Sequence, residues 1–169
     1  MAKKCVAPLT VGILADTHLT RVTPEFAARV ATCFAGCDLI LHAGDLTEPT
    51  LLGAFGDRDV HAVHGNMCSV ACQKLLPRKK TIRLGRFTLG LIHRAGDSYD
   101  FEDRLLDEFD PVDCLVYGHT HRPVCHQHGG VLYINPGSFQ ATGPYGHPGT
   151  YALLTVGDEL QASIHELPF

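Results

Sequence analysis

With 169 residues, 45% of them hydrophobic, the chain is long enough to close a compact core, and a single domain spanning residues 1–169 is expected. A charged fraction of 19% and a formal net charge of -4 exclude a surface made mainly to hold long nucleic acids, so any phosphate binding must be local. Bound cations can supply that local charge, because a divalent ion reverses the repulsion an acidic protein offers to an anion.

No apolar run approaches the roughly 20 residues that cross a bilayer. The start Met1-Ala2-Lys3-Lys4-Cys5 has no apolar region of signal-peptide type, so a cytoplasmic protein without membrane partners is expected. Seven cysteines, an odd number with no CxxC pair, read as reduced thiols. Cys33 with Cys37, and Cys68 with Cys72, can share helix faces as small core residues. The unusual count is histidine, with 11 residues against 14 lysines and arginines.

In chain order, Thr10 to Ala15 is a short β-branched apolar run that suits a strand buried on both faces. Thr23-Pro24-Glu25 opens a helix, and Phe26, Val30 and Phe34 recur at helical spacing until Gly36. Asp38 to His42 is a second buried strand, after which Thr47, Glu48 and Pro49 open a short helix through Phe55. Val60 to Val63 is a third strand, followed by a helix near Ser69 to Leu76. Thr81 to Leu84 and Phe87 to Ile92 flank Gly85-Arg86 as a hairpin, and Phe101, Leu105, Leu106 and Phe109 mark a helix that stops before Pro111. Cys114 to Tyr117 resumes strand, then Val124 to His128, Val131 to Ile134, Tyr151 to Val156 and Gln161 to His165 are strands around a Gly/Pro-rich loop from Asn135 to Gly149. An early βαβα section followed by hairpins predicts a layered α/β protein with two packed sheets and helices outside.

The predicted strands keep ending in the same residue types. Asp16 and His18, Asp45, Asn66, His93, and His119 with His121 follow five strand ends, and the carboxyl ends of strands line the ligand crevice in open α/β sheets. All seven can ligate a divalent ion through oxygen or imidazole nitrogen, and one aspartate can bridge two ions. Gly44, Gly65 and Gly118 precede ligand positions, where glycine lets backbone approach closely. In Asp16-Thr17-His18 and His119-Thr120-His121 an extended backbone would send side chains two apart to one side. His42 adjoins this set and reads equally as a hydrogen-bonding support or as a packed or partly exposed strand histidine. Arg78-Lys79-Lys80 reads as a solvated surface run, and the remaining histidines, His61, His64, His126, His128, His147 and His165, as solvated or hydrogen-bonded.

DTH, GD followed by Glu48, GN, a strand-ending His and GHTH, in this order, resemble the calcineurin-like metallophosphoesterases. The segments Gly118 to Pro123 and Ile134-Asn135-Pro136-Gly137-Ser138 are similar to the compact YfcE-type phosphodiesterase branch, which is related to the small retromer subunit. The resemblance implies an α/β fold that is a four-layer αββα sandwich of two mixed β-sheets flanked by helices. It implies that Asp16, His18 and His121 bind one metal, that Asn66, His93 and His119 bind the other, and that Asp45 bridges them. A metal-bridging hydroxide would attack a small phosphodiester, with Asp45, Asn66 and His93 as the catalytic set and Asn135 to Ser138 supporting the cleft. Manganese is the expected ion, although the donor set also serves Fe, Ni, Co and Zn.

Two positions depart from the pattern. Asn66 is followed by Met67-Cys68-Ser69, which leaves no histidine or acid to protonate a leaving group, and His93 is followed by Arg94 where relatives commonly carry glycine. Arg94 reads as a bidentate phosphate clamp or as a solvated turn residue. Three rival functions stand beside the phosphodiesterase: a phosphomonoesterase, a protein-binding scaffold that has kept the fold, and a nuclease, which the acidic balance disfavours. A small phosphate ester is the expected partner, and a homo-oligomer is compatible with the sequence.

Overall fold

A computed structural model describes residues 7–96, 101–141 and 148–168. Two five-stranded sheets form the centre. The first runs β10 (Leu160–Glu166), β9 (Thr150–Val156), β1 (Leu9–Leu14), β2 (Leu39–His42), β3 (Asp59–Ala62). The second runs β4 (Lys79–Leu84), β5 (Phe87–Ile92), β6 (Cys114–Val116), β8 (Val131–Asn135), β7 (Val124–His128). Three parallel strands lie together in each sheet, β1, β2 and β3 in one and β5, β6 and β8 in the other. The antiparallel strands are confined to the flanks. Parallel register sends the carboxyl ends of each trio the same way, and a hydrogen bond from the His93 ring to the Ala43 carbonyl joins the two sets of ends.

The layers follow from which faces are apolar. Val11, Ile13 and Leu41 of the first sheet meet Leu89, Leu91, Val116 and Ile134 of the second in one buried cluster. The outer face of the first sheet carries Leu14 and Ile40, which pack under Phe26 and Val30 of α1 (Pro24–Cys33) and Phe55 of a 3-10 helix (Pro49–Phe55). β1 is therefore buried on both sides, the reason its sequence is an almost unbroken apolar run. On the far side, Leu105 of α3 (Phe101–Leu106) joins Leu115 and Tyr133. Each such fully buried aliphatic or aromatic side chain contributes roughly 1.5–3 kcal/mol of transfer free energy. The expected αββα order of four layers is the one observed.

Local signals act as the sequence predicts, with three corrections. Thr23 caps α1, its hydroxyl accepting from the Phe26 amide at 3.1 Å. The helix, however, ends at Cys33 rather than at Gly36. The segment after Thr47 is a 3-10 helix over Pro49–Phe55 with no side-chain cap at Glu48, whose carboxylate accepts from Ser69 Oγ at 3.1 Å. Neither cysteine pair lies within one helix, since Cys37 follows α1 and Cys68 precedes the Ser69 cap of α2 (Val70–Leu75). The six described cysteines are free thiols, four of them buried. Arg78 and Lys79 lie exposed on the surface as expected but are not free of partners: Arg78 holds Glu108 in a two-pronged ion pair at 2.6 and 2.8 Å, and Lys79 reaches the same carboxylate at 3.2 Å. His147 and part of the loop before Gly149 lie outside the described residues.

Candidate metal centre

The ligand turns are not extended. Asp16, His18, Asp45, His119 and His121 have φ between 46° and 72°, the left-handed region that ordinary residues rarely enter. The consequence is a sorting of side chains that alternation would not have produced. His121 turns to His18, with ring nitrogens 3.1 Å apart, while His119 turns to His93, with ring centroids 5.3 Å apart and nearly perpendicular. The expectation that side chains two apart in each turn aim at one point fails for His119-Thr120-His121.

Asp16 sits at the centre. Its Oδ1 is 3.2 Å from His121 Nε2 and 3.6 Å from His18 Nε2, and its Oδ2 accepts from the His119 amide at 3.1 Å. Asp16, His18 and His121 offer ligand atoms within 4.8 Å of one another, and so do Asp16, Asp45 and His93. Asp16 is common to both groups, and Asp45 joins it with His93 in the second. Asn66 is exposed beside Gly65 and lines, with His93, Arg94 and Arg78, a cleft of about 300 Å³.

His93 is enclosed by glycines. A Cβ on Gly44 would lie 2.6 Å from the His93 ring, and one on Gly65 would lie 2.1 Å from Asp45 Oδ1 and 2.7 Å from His93 Cδ2. A Cβ on Gly118 would lie 2.7 Å from the Ala43 carbonyl and 3.0 Å from His93 Nδ1. Only glycine backbone lets three loops close on one imidazole this tightly. The Ala43 carbonyl can only accept, so His93 Nδ1–H donates to it at 2.8 Å and the Nε2 lone pair faces Asp45 Oδ2 at 3.2 Å.

Electrostatics follow the same geometry. Burial alone would raise the Asp16 pKa, but hydrogen bonding to His121 and His18 carries it well below the usual carboxylate range. Burial opposes ionisation of Asp45 as well, and His93 with the Met67 amide, which donates at 2.8 Å, outweighs it. For His93, burial favours the neutral ring, yet Asp45 and Asp16 turn the net shift upward. His119 is shifted down first by burial, and the charge of Arg94 and of His93 when it is protonated acts in the same direction.

These residues fit a divalent cation. Asp16 Oδ1 and His93 Nε2 are buried and met only by other titratable groups of the cluster, the oxygen by His121 and His18 at 3.2 and 3.6 Å and the nitrogen by Asp45 at 3.2 Å, with no neutral hydrogen-bond partner of the kind a buried polar atom ordinarily has. Ligands about 2.1 Å from one ion stand about 3.0–3.4 Å apart in octahedral or tetrahedral coordination. The separations of 3.1, 3.2 and 3.6 Å around Asp16, His18 and His121 are close to such polyhedron edges.

The family profile described as the calcineurin-like phosphoesterase superfamily domain matches residues 9–159. The chain belongs to this superfamily. A probable metallophosphoesterase of Methanocaldococcus jannaschii is 35% identical over 162 residues, covering 92% of this chain and 80% of that protein. Vps29 of Entamoeba histolytica, solved as a zinc complex, shares the fold at 23% identity, with a TM-score of 0.66 over 94% of this chain and 99% of that one. So does an archaeal phosphodiesterase at 19% identity, with a TM-score of 0.68 over 93% of this chain and all of that one. A calcineurin-like phosphoesterase fold implies divalent metal, in agreement with the donor chemistry above. Among the described residues no helix is long and apolar enough to cross a membrane.

Some supporting residues carry weak sequence signals. Asn135 donates to the Gly118 carbonyl at 2.9 Å and to Thr120 Oγ1 at 3.1 Å, and Ser138 donates to the Asp16 carbonyl at 3.2 Å, so the Asn135 to Ser138 turn braces both ligand turns. The Ala43 carbonyl that fixes the His93 ring has no sequence signal, because any residue supplies a carbonyl. His42 is 1% exposed and hydrogen-bonded, which agrees with the supporting or packed readings and not with partial exposure.

Proposed function

We propose that the chain, as a single domain, is a dinuclear metal-dependent phosphodiesterase acting on small phosphodiesters. In this reading Asp16, His18 and His121 hold one ion, Asn66, His93 and His119 hold the other, and Asp45 lies between. The observation that carries it is the pair of buried ligand atoms, Asp16 Oδ1 and His93 Nε2, faced only by other oxygen and imidazole donors within two groups that could each hold an ion. Bound divalent ions supply Lewis acidity toward phosphoryl oxygens and acidify water. Manganese is the proposed metal, with zinc, iron, cobalt and nickel served by the same donors.

The chain's own groups have defined tasks. Asp16 and Asp45 stay ionised at neutral pH and provide the negative charge that two cations require. His93 offers Nε2 because Ala43 holds the ring proton at Nδ1. Asn66, exposed in the cleft, can donate its amide N–H to a phosphate oxygen, and Arg94 at the same cleft carries a guanidinium fork suited to a second. Met67, Cys68 and Ser69 offer no acid for a leaving group, so nitrophenyl diesters are expected to turn over much faster than alkyl diesters. Equal rates on the two would contradict this. Diesters are preferred to monoesters on the likeness to the archaeal phosphodiesterase.

The test is hydrolysis of bis(p-nitrophenyl) phosphate against added Mn²⁺, with Asp45→Asn and His93→Ala checked for folding by circular dichroism. Each variant is expected to lose roughly a hundredfold or more in kcat/KM. Metal uptake without turnover of any mono- or diester would favour the scaffold reading instead.

A further inference from the structure

We propose that His42 is the positioning residue that holds the two carboxylate-bearing turns of the metal centre in register. It closes β2 with a fully enclosed side chain, so both ring nitrogens must be satisfied inside the protein. Nδ1 accepts from the Gly44 amide at 3.2 Å. That leaves the ring proton on Nε2, which faces the Thr17 hydroxyl at 3.3 Å. Gly44 belongs to the turn that presents Asp45, and Thr17 stands between Asp16 and His18. One imidazole therefore ties together two turns whose acidic residues both have a φ of 54°. Backbone of this kind persists only where its surroundings over-determine it.

Two neighbouring contacts fit the same role. Asp16 N–H donates to the Gly44 carbonyl and His18 N–H to the Asp45 carbonyl, both at 3.0 Å, so the turns already run side by side and His42 locks their relative offset. Burial pushes the His42 pKa down to about 4 despite the opposing pull of Asp16, so the ring is neutral at pH 7 and contributes through its tautomer rather than its charge. An apolar residue of similar volume would fill the space and leave both turns untied.

The inference rests on metal binding at Asp16, Asp45 and His93 and is tested with metal alone. Mn²⁺ titration by calorimetry is run on wild type, His42→Leu, His42→Asn, Thr17→Val and the His42→Leu/Thr17→Val double variant, with Leu154→Ala as a core-destabilised control. His42→Leu and Thr17→Val are expected to weaken binding about 10–100-fold, the usual range for groups that orient ligands. The double variant is expected to be no weaker than the worse single one. His42→Asn keeps an acceptor for the Gly44 amide and falls between wild type and His42→Leu, whereas Leu154→Ala keeps wild-type affinity. Long-range proton–nitrogen NMR on metal-free wild type is expected to show a single neutral tautomer protonated at Nε2.

Affinity within twofold of wild type in Thr17→Val or folded His42→Leu, additive losses in the double variant, or an Nδ1–H tautomer would each overturn the role of His42. Wild-type protein that takes up no Mn²⁺ would instead sink the metal reading on which it rests.

Discussion

The two halves of the centre are built by different means. Asp45 and His93, each 2% exposed, are fixed by close-approaching glycine backbone and by a carbonyl that sets the imidazole proton. His18 and His121 keep about a fifth of their surface in solvent and owe their direction to left-handed backbone in short turns. The buried half is a rigid cradle in which a methyl group has nowhere to go. The open half faces the side from which solvent arrives, and water can stand in for a lost ligand there. Asp16, fully buried, belongs to both.

The largest break in this comparison comes from the cradle. Gly65→Ala would drive a Cβ against Asp45 Oδ1, and a loss of roughly a hundredfold or more in kcat/KM with reduced metal stoichiometry is expected. Gly129→Ala, in the β7–β8 turn with open space around it, is expected to cost about 1 kcal/mol of stability and leave kinetics and metal content alone. Steady-state rates and elemental analysis of both variants decide it. Next in size is the contrast between ligand histidines. His93→Ala should exceed His18→Ala in lost activity by about tenfold, because deleting the buried partner leaves Asp45 enclosed and unpaired. Equal losses would remove the distinction between the halves.

A third test uses pH and metal-free protein in chelator. The folded pKa of His93 lies above its ordinary 6.5, so its stabilising contribution is complete below pH 6.5 and is lost as pH rises through the folded value. Asp16 and Asp45 have folded pKa values below 3.8, so theirs is complete above pH 3.8 and is lost as pH falls through the folded values. Denaturant midpoints of wild type should decline on the alkaline side, and His93→Ala should flatten that decline. The smallest effect is remote. Glu108, held down to about 2 by Arg78 and Lys79, is partly exposed and its two partners are exposed, so solvent screens the pair and Glu108→Gln is expected to cost less than about 1 kcal/mol. That cost should vanish as pH falls from 4.5 to about 2.

Much of the architecture is legible in the sequence because the relevant forces are local. Buried parallel strands such as Leu39–His42 read as apolar runs, and Thr23-Pro24 announces a helix start on capping chemistry alone. The candidate ligands are legible because five strand ends repeat the same donor types. What stayed hidden depends on three-dimensional approach. The backbone φ that splits His119 from His121 is not in the pattern of residues, and only the family resemblance implied that split; the setting of the His93 ring depends on a main-chain carbonyl, and the pairing of Arg78 with Glu108 joins residues 30 positions apart.

The account stands on two cations sharing one cluster of side chains. Anomalous diffraction at the manganese edge, from crystals grown with Mn²⁺, tests it most directly. Two peaks about 3.5–4 Å apart are predicted, one against Asp16, His18 and His121 and one against Asn66, His93 and His119, with Asp45 between them. A lone peak, or peaks away from Asp16 and Asp45, would contradict the dinuclear reading.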